Sequence, residues 1–136
     1  MEGKAEAREQ RGKSEGERQI ERLLRKCGLV YRYEYPLAVV ERGKTRIWYP
    51  DSFLPEYGII IEYAGLNGAE YEARLRYKAA VYQDMGIPAI FLCPESFKGY
   101  WPARLLGEIE EIEAARGKKL ARAQKLLVRE PVLERS

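Results

Sequence analysis

Three carboxylates stand where carboxylates are costly. Glu62 directly follows Ile59, Ile60 and Ile61 in "YGIIIEYAG", Asp51 follows Pro50 in "IWYPDSF", and Glu17 precedes Ile20 and Leu24 by three and seven residues in "SEGERQIERLL". An unpaired charge among apolar side chains must be neutralised, hydrated or bound to a cation. Each has an ordinary explanation: Glu62 as the partner of an arginine, Asp51 as a turn residue after proline, and Glu17 as the far end of a capping box opened by Ser14. Each also suits a divalent-cation site. The chain has no histidine and two cysteines, Cys27 and Cys93. That removes the usual general base and the usual zinc ligands, so any metal must take oxygen donors, as magnesium, manganese or calcium does. Two carboxylates brought together repel unless a dication lies between them.

Cationic residues accompany them. Lys78 shares a helix face with Tyr71, Arg74, Leu75, Val81 and Tyr82, from which its ammonium either reaches the sheet or snorkels to solvent. Arg74 and Arg76 follow the glycine-rich "AGLNGAEY" and interleave with tyrosines, a pattern suited to phosphate contact and base stacking. The same residues also make an ordinary charged face, paired with Glu70 or Glu72. Lys44 and Arg46 lie in a hairpin and are further candidate phosphate contacts. Near the C-terminus Arg116, Lys118, Lys119, Arg122 and Lys125 flank a stripe of Leu120, Ala123, Leu126 and Leu127, a surface for packing or for a polyanion.

The elements that must position these groups follow from periodicity. Ser14 caps a helix that runs through Ile20, Leu23, Leu24 and Cys27 to Gly28. "LVYRYEYPLAVV", "TRIWYPDSF" and "IIIEYA" read as three strands in a meander, turned at "ERGK" and "LPEYG". The unbroken isoleucines imply a strand covered on both faces. "AEYEARLRYKAAVYQDMG" is the next helix, and "IPAIFLCP" a fourth strand, parallel to the third through a right-handed crossover. "GYWPARLLGEIEEIEAARG" is a last core helix, and "KKLARAQKLLVRE" a separate basic amphipathic one. The expected class is α/β, in the order helix, three-stranded meander, helix, strand, helix, with a mixed central sheet flanked by helices. Residues 1–13 read as a flexible basic arm, 14–117 as the domain and 118–136 as a basic helix and tail.

The 136 residues suffice for one domain, and at 46% hydrophobic and 33% charged the chain buries a core and stays soluble. No apolar run approaches the ~20 residues of a membrane span. The charged N-terminus has no apolar segment behind it, so the expectation is an intracellular, cytoplasmic protein with two buried free thiols. The net charge of +3 is compatible with a nucleic-acid partner.

"YPD" and "IIIEYAG", with the element order around them, resemble the PD-(D/E)XK nuclease superfamily, and "SEGERQIERLL" resembles the helix that precedes its core. The similarity spans roughly residues 14–112. Within the superfamily the chain is most similar to small stand-alone enzymes, such as very-short-patch repair endonucleases and archaeal Holliday junction resolvases. The resemblance implies a restriction-endonuclease-like core and a Mg2+-dependent DNA endonuclease, with Mn2+ as a substitute and a homodimer as the assembly. It implies Asp51 and Glu62 as magnesium ligands, the backbone carbonyl of Tyr63 as a further donor, and Glu17 as the helix-one glutamate that assists them. The motif lysine is absent: residue 64 is alanine. Either Lys78 takes its place, or the domain is an inactive nucleic-acid-binding or assembly module on the same fold.

Overall fold

The computed structural model describes residues 13–135, with side chains described through residue 119 and at Arg122 and Gln124. The arm expected at residues 1–13 lies outside the described residues except for Lys13. The apolar stripe from Leu120 to Leu127 and the Lys125 side chain lie outside them too. The described chain falls into two compact units, one ending at Gly99 and one beginning at Tyr100.

The first unit is mixed α/β. Helix α1 (Glu15–Lys26) is followed by strands β1 (Arg32–Tyr33), β2 (Leu37–Glu41), β3 (Lys44–Trp48), β4 (Ser52–Leu54) and β5 (Ile59–Tyr63), then helix α2 (Ala69–Asp84), strand β6 (Ala89–Leu92) and a short 3-10 turn (Pro94–Phe97). A four-stranded mixed sheet has the order β1-β4-β5-β6, antiparallel except for the parallel β5–β6 pair, while β2 and β3 form a separate two-stranded ribbon. The expected three-strand meander is therefore divided. Pro36 and the left-handed Glu34 (φ 49°) interrupt the first segment, and Pro50, which has no N–H to give a ladder, interrupts the second.

Burial of β5 explains its composition. Ile59, Ile60 and Ile61 are all 0% exposed, and each contributes roughly 1.5–3 kcal/mol by leaving water. Side chains alternate along a strand, so Ile60 faces Val39, Val81 and Tyr82 on the α2 side, while Tyr63 points to the other face and meets Gly16 of α1. Helices thus cover both faces, and the run needs no polar alternation.

Both helices end by the same device. Gly28 and Gly86, each at φ 70°, take the left-handed position. Leu29 and Ile87 then return N–H bonds of 2.9 Å to Leu24 and Tyr82, the Schellman arrangement that satisfies terminal carbonyls. The second unit is one continuous helix, α3 (Trp101–Arg135), with Leu105 and Ile109 buried. This corrects the expectation of two helices. Gly117 stands at the expected boundary, but a mid-helix glycine costs only about 1 kcal/mol and need not end a helix. Both cysteines are free, but Cys27, the C-cap residue of α1, is exposed rather than buried.

Candidate active site

The β4–β5 register answers why an aspartate and a glutamate recur eleven positions apart. Ser52 pairs with Ile61, Phe53 with Ile60 and Leu54 with Ile59 around a four-residue turn. One step further along the same register sets Asp51 across from Glu62. Facing residues in such a pair have Cβ atoms about 5 Å apart on one face of the sheet. The ladder stops there because the next residue is Pro50. The Tyr63 N–H instead donates to Asp51 Oδ2 at 2.8 Å, which fixes the aspartate and leaves its second oxygen available.

Glu17 arrives from α1. Ser14 caps that helix by accepting from the Glu17 N–H at 3.2 Å, so the backbone of Glu17 serves the cap. Its carboxylate does not close a capping box: Oε2 is buried and, among the described residues, has no hydrogen-bond partner. What seats the helix is Gly16. A Cβ there would lie 2.2 Å from the Tyr63 ring, and one at Gly65 would lie 2.6 Å from it. Tyr63 is held between these two glycines and beside Phe97, so the first turn of α1 can approach the end of β5.

Lys78 comes from α2. Its ammonium donates to Glu62 Oε2 at 3.1 Å and Oε1 at 3.4 Å, with 42% of its side chain exposed. Ala64 is buried on the same face as Glu62, two residues on. Glu17, Asp51, Glu62, Tyr63, Tyr71, Arg74, Leu75 and Lys78 together line one cavity of about 230 Å³. The Arg74 guanidinium lies 5.8 Å from the centre of the Tyr71 ring. Among the described residues neither Arg74 nor Arg76 forms an ion pair, so the pairing with Glu70 or Glu72 is not made. Arg76 is exposed and outside this cavity. Lys44 and Arg46 are also outside it and line a separate concavity with Glu41 and Arg42.

The electrostatics are those of crowded, partly dried acids. Burial raises the pKa of Glu62, opposed by Lys78, and Asp51 adds repulsion. Burial likewise raises Asp51, opposed by the Tyr63 N–H and by Lys78. Glu17 is raised by burial and then by Asp51, against the pull of Lys13. Beneath them lies the buried Tyr82 hydroxyl, held protonated by burial and by the nearby Glu62 and Asp51 charges.

Whether these donors fit a metal follows from their number and hardness. Among the described residues no three His, Cys, Asp or Glu side chains are grouped as a metal cage. Magnesium asks for less than a cage. It keeps several waters and is commonly held by one or two carboxylates. Asp51 and Glu62 suit such an ion and do not suit zinc; the orphaned Glu17 Oε2 lines the same cavity.

Gly16 and the seating of Tyr63 have no counterpart in the sequence reading. The signal for Gly16 was present, since a glycine inside the first turn of an otherwise strong helix is a cost that asks for a packing reason. No family model matches this chain, and no curated protein or solved structure shows significant similarity to it.

Proposed function

We propose that the protein is a metal-dependent DNA endonuclease with a restriction-endonuclease-like core, hydrolysing phosphodiester bonds in the cavity between α1, β5 and α2. The observation that carries this reading is the pairing of Asp51 and Glu62 at facing strand positions, with Lys78 on Glu62 and the unpartnered Glu17 oxygen in the same cavity. One half of the lining supplies hard oxygens, and the other supplies the cations and the aromatic ring that a nucleic-acid backbone requires.

Asp51, Glu62 and the Tyr63 carbonyl would hold Mg2+, or Mn2+ in its place. When bound, the ion supplies a water of lowered pKa and neutralises charge on the phosphate. The chain's own groups do the rest. The Tyr63 N–H holds Asp51 in one rotamer. Glu17, whose pKa is raised, can exchange a proton beside Asp51. Lys78, with nearly half of its side chain in solvent, favours the ionised form of Glu62 against burial and offers its ammonium to charge developing on the phosphate, the part a lysine at position 64 would play. Arg74 and Tyr71 grip the strand at the rim. DNA is the proposed substrate because the superfamily that the chain resembles chiefly acts on DNA.

The test is cleavage of supercoiled plasmid and of a branched DNA with Mg2+ or Mn2+, comparing the native chain with Asp51→Ala. Metal-dependent nicking that disappears in the variant is the expected outcome. A second reading, an inactive nucleic-acid-binding module, is favoured by Ala64 and by the Lys78–Glu62 pair, which already neutralises the glutamate. DNA binding by both proteins with cleavage by neither would establish it.

A further inference from the structure

Asp51 and Glu62 are secured unequally. Asp51 has a fixed backbone donor, the Tyr63 N–H at 2.8 Å. Glu62 is 3% exposed, and among the described residues both of its oxygens take their side-chain hydrogen bonds from one group, the Lys78 ammonium, at 3.1 and 3.4 Å. That ammonium is asked for twice. The proposed chemistry needs it on the phosphate, and when it turns there the buried Glu62 loses its side-chain donor. A buried carboxylate without a donor costs stability.

A second donor stands one turn along α2. Tyr82 follows Lys78 by four residues, so the two share a helix face. Tyr82 packs against Ile60, and Glu62 projects from the same face of β5 as Ile60. The Tyr82 ring is 1% exposed, meets Trp48 edge-on with centroids 5.5 Å apart, and is flanked by Phe91 at 6.4 Å. Its hydroxyl is buried and near enough to Glu62 to feel that charge. Yet among the described residues the hydroxyl has no hydrogen-bond partner, while both glutamate oxygens are engaged by Lys78. The ring is fixed by its neighbours, whereas the glutamate has rotamers to change. A buried tyrosine ordinarily finds a partner for its O–H. Phenylalanine would fill the same space without leaving a bond unmade, so packing alone gives no reason for the hydroxyl.

We propose that Tyr82 is a positioning residue for Glu62, whose hydroxyl takes over the carboxylate when the Lys78 ammonium moves to the phosphate. The role presupposes that the cavity is a metal-dependent nuclease site. The hydroxyl donates to one oxygen of Glu62 and leaves the other for a cation, as the Tyr63 N–H does for Asp51. Being neutral, it holds the glutamate without offsetting the negative charge that a dication needs, which the Lys78 ion pair does offset. One helix thus carries both partners of the glutamate. The one that releases it reaches toward solvent, with 42% of its side chain exposed, and the one that retains it sits in the core. A donor of this kind behind a metal ligand is typically worth roughly 10- to 100-fold in metal affinity.

The experiment compares the native chain with Tyr82→Phe, Lys78→Ala and the double variant, by thermal unfolding in EDTA and by Mn2+ titration followed through the same midpoint. In EDTA, Tyr82→Phe should melt no lower than the native chain, since Lys78 still holds Glu62. In the Lys78→Ala background the same change should lower the midpoint by at least ~2 °C, because the hydroxyl has there become the donor to Glu62. With Lys78 present, Tyr82→Phe should need roughly 10-fold more Mn2+ than the native chain for a half-maximal shift. Equal effects of Tyr82→Phe with and without Lys78 overturn the hand-over and make the hydroxyl a matter of packing. Native Mn2+ affinity in Tyr82→Phe overturns it as well. Both outcomes leave the nuclease reading standing. A native chain whose midpoint ignores Mn2+ overturns that reading together with the role of Tyr82 built on it.

Discussion

Asp51 bears opposed demands. Folding draws it out of water and within reach of the Glu34 charge, and the Tyr63 N–H and Lys78 offset only part of the cost, so its pKa is raised. In metal-free protein the unfolded chain gives up this proton first as pH rises. Stability is then fully present below the ordinary carboxylate pKa of 3.8 and declines as pH passes up through the higher folded value. Glu62 and Glu17 shift in the same direction. Asp51→Asn keeps an oxygen for the Tyr63 N–H and removes the charge. It should therefore gain on the order of 1 kcal/mol at pH 7, the usual size of relief at a strained functional site. That gain should shrink toward zero by about pH 3, where both forms are neutral in folded and unfolded chains alike. Urea unfolding at several pH values in EDTA measures it. A variant less stable than the native chain at pH 7 would show that Asp51 is a structural partner and not a repelled ligand. The pair itself was legible in the sequence, because an isoleucine run, a four-residue turn and a Pro-Asp step fix a register. Gly16 was not, since Ser14 and Glu17 already explained that turn as a cap.

At the level of elements, the sequence conveyed the starts of α1 and α2 and the central strand, but not the continuity of α3 or where the long β segments break. Their aromatic and β-branched content was continuous, and it outweighed Pro36 and Pro50 in the reading. The break at Pro50 is what frees Asp51 from the ladder, and the ribbon between Pro36 and Pro50 packs its inner face on α2. That helix in turn supplies Lys78 on the face it turns toward β5, whereas the strand itself carries only Ala64 near the glutamate. If α2 has taken over the lysine's work, its origin should be interchangeable. Lys78→Ala should lower metal-dependent nicking on the order of 100-fold, the size typical of losing one preorganised charge stabiliser. Adding Ala64→Lys to that variant should restore a measurable part of the rate, because residue 64 faces the same side of the sheet as Glu62 and lies just past the end of β5. Single-turnover rates on nicked-plasmid gels, with binding checked separately, distinguish a lost rate from a lost complex. An unchanged rate in Lys78→Ala would leave its ammonium as a neutraliser of Glu62 alone.

Across the whole chain the charge balance is +3, yet the cavity concentrates three acids whose pKa values are raised by burial. A uniformly basic protein would have no use for such a depression; one that draws a polyanion to its surface and a dication into its interior would use both. The two demands can be separated without any substrate. An ion that binds the folded chain and not the unfolded one stabilises it by mass action, about 2.7 kcal/mol at a hundredfold excess over its dissociation constant. In a chain of this size each kcal/mol moves the midpoint by roughly 2–4 °C, so saturating Mn2+ should raise the melting temperature by about 5–10 °C in the native protein. Asp51→Asn should start higher in EDTA, since the repulsion is already relieved, and should respond little to Mn2+. The native midpoint should then overtake that of the variant as metal approaches saturation, because about 2.7 kcal/mol exceeds the variant's lead of about 1 kcal/mol. Parallel shifts in both proteins would place the ion on surface carboxylates such as Glu15 or Glu56. No shift in either, with DNA binding retained, would favour the inactive module, with Glu62 neutralised by Lys78 and no ion required.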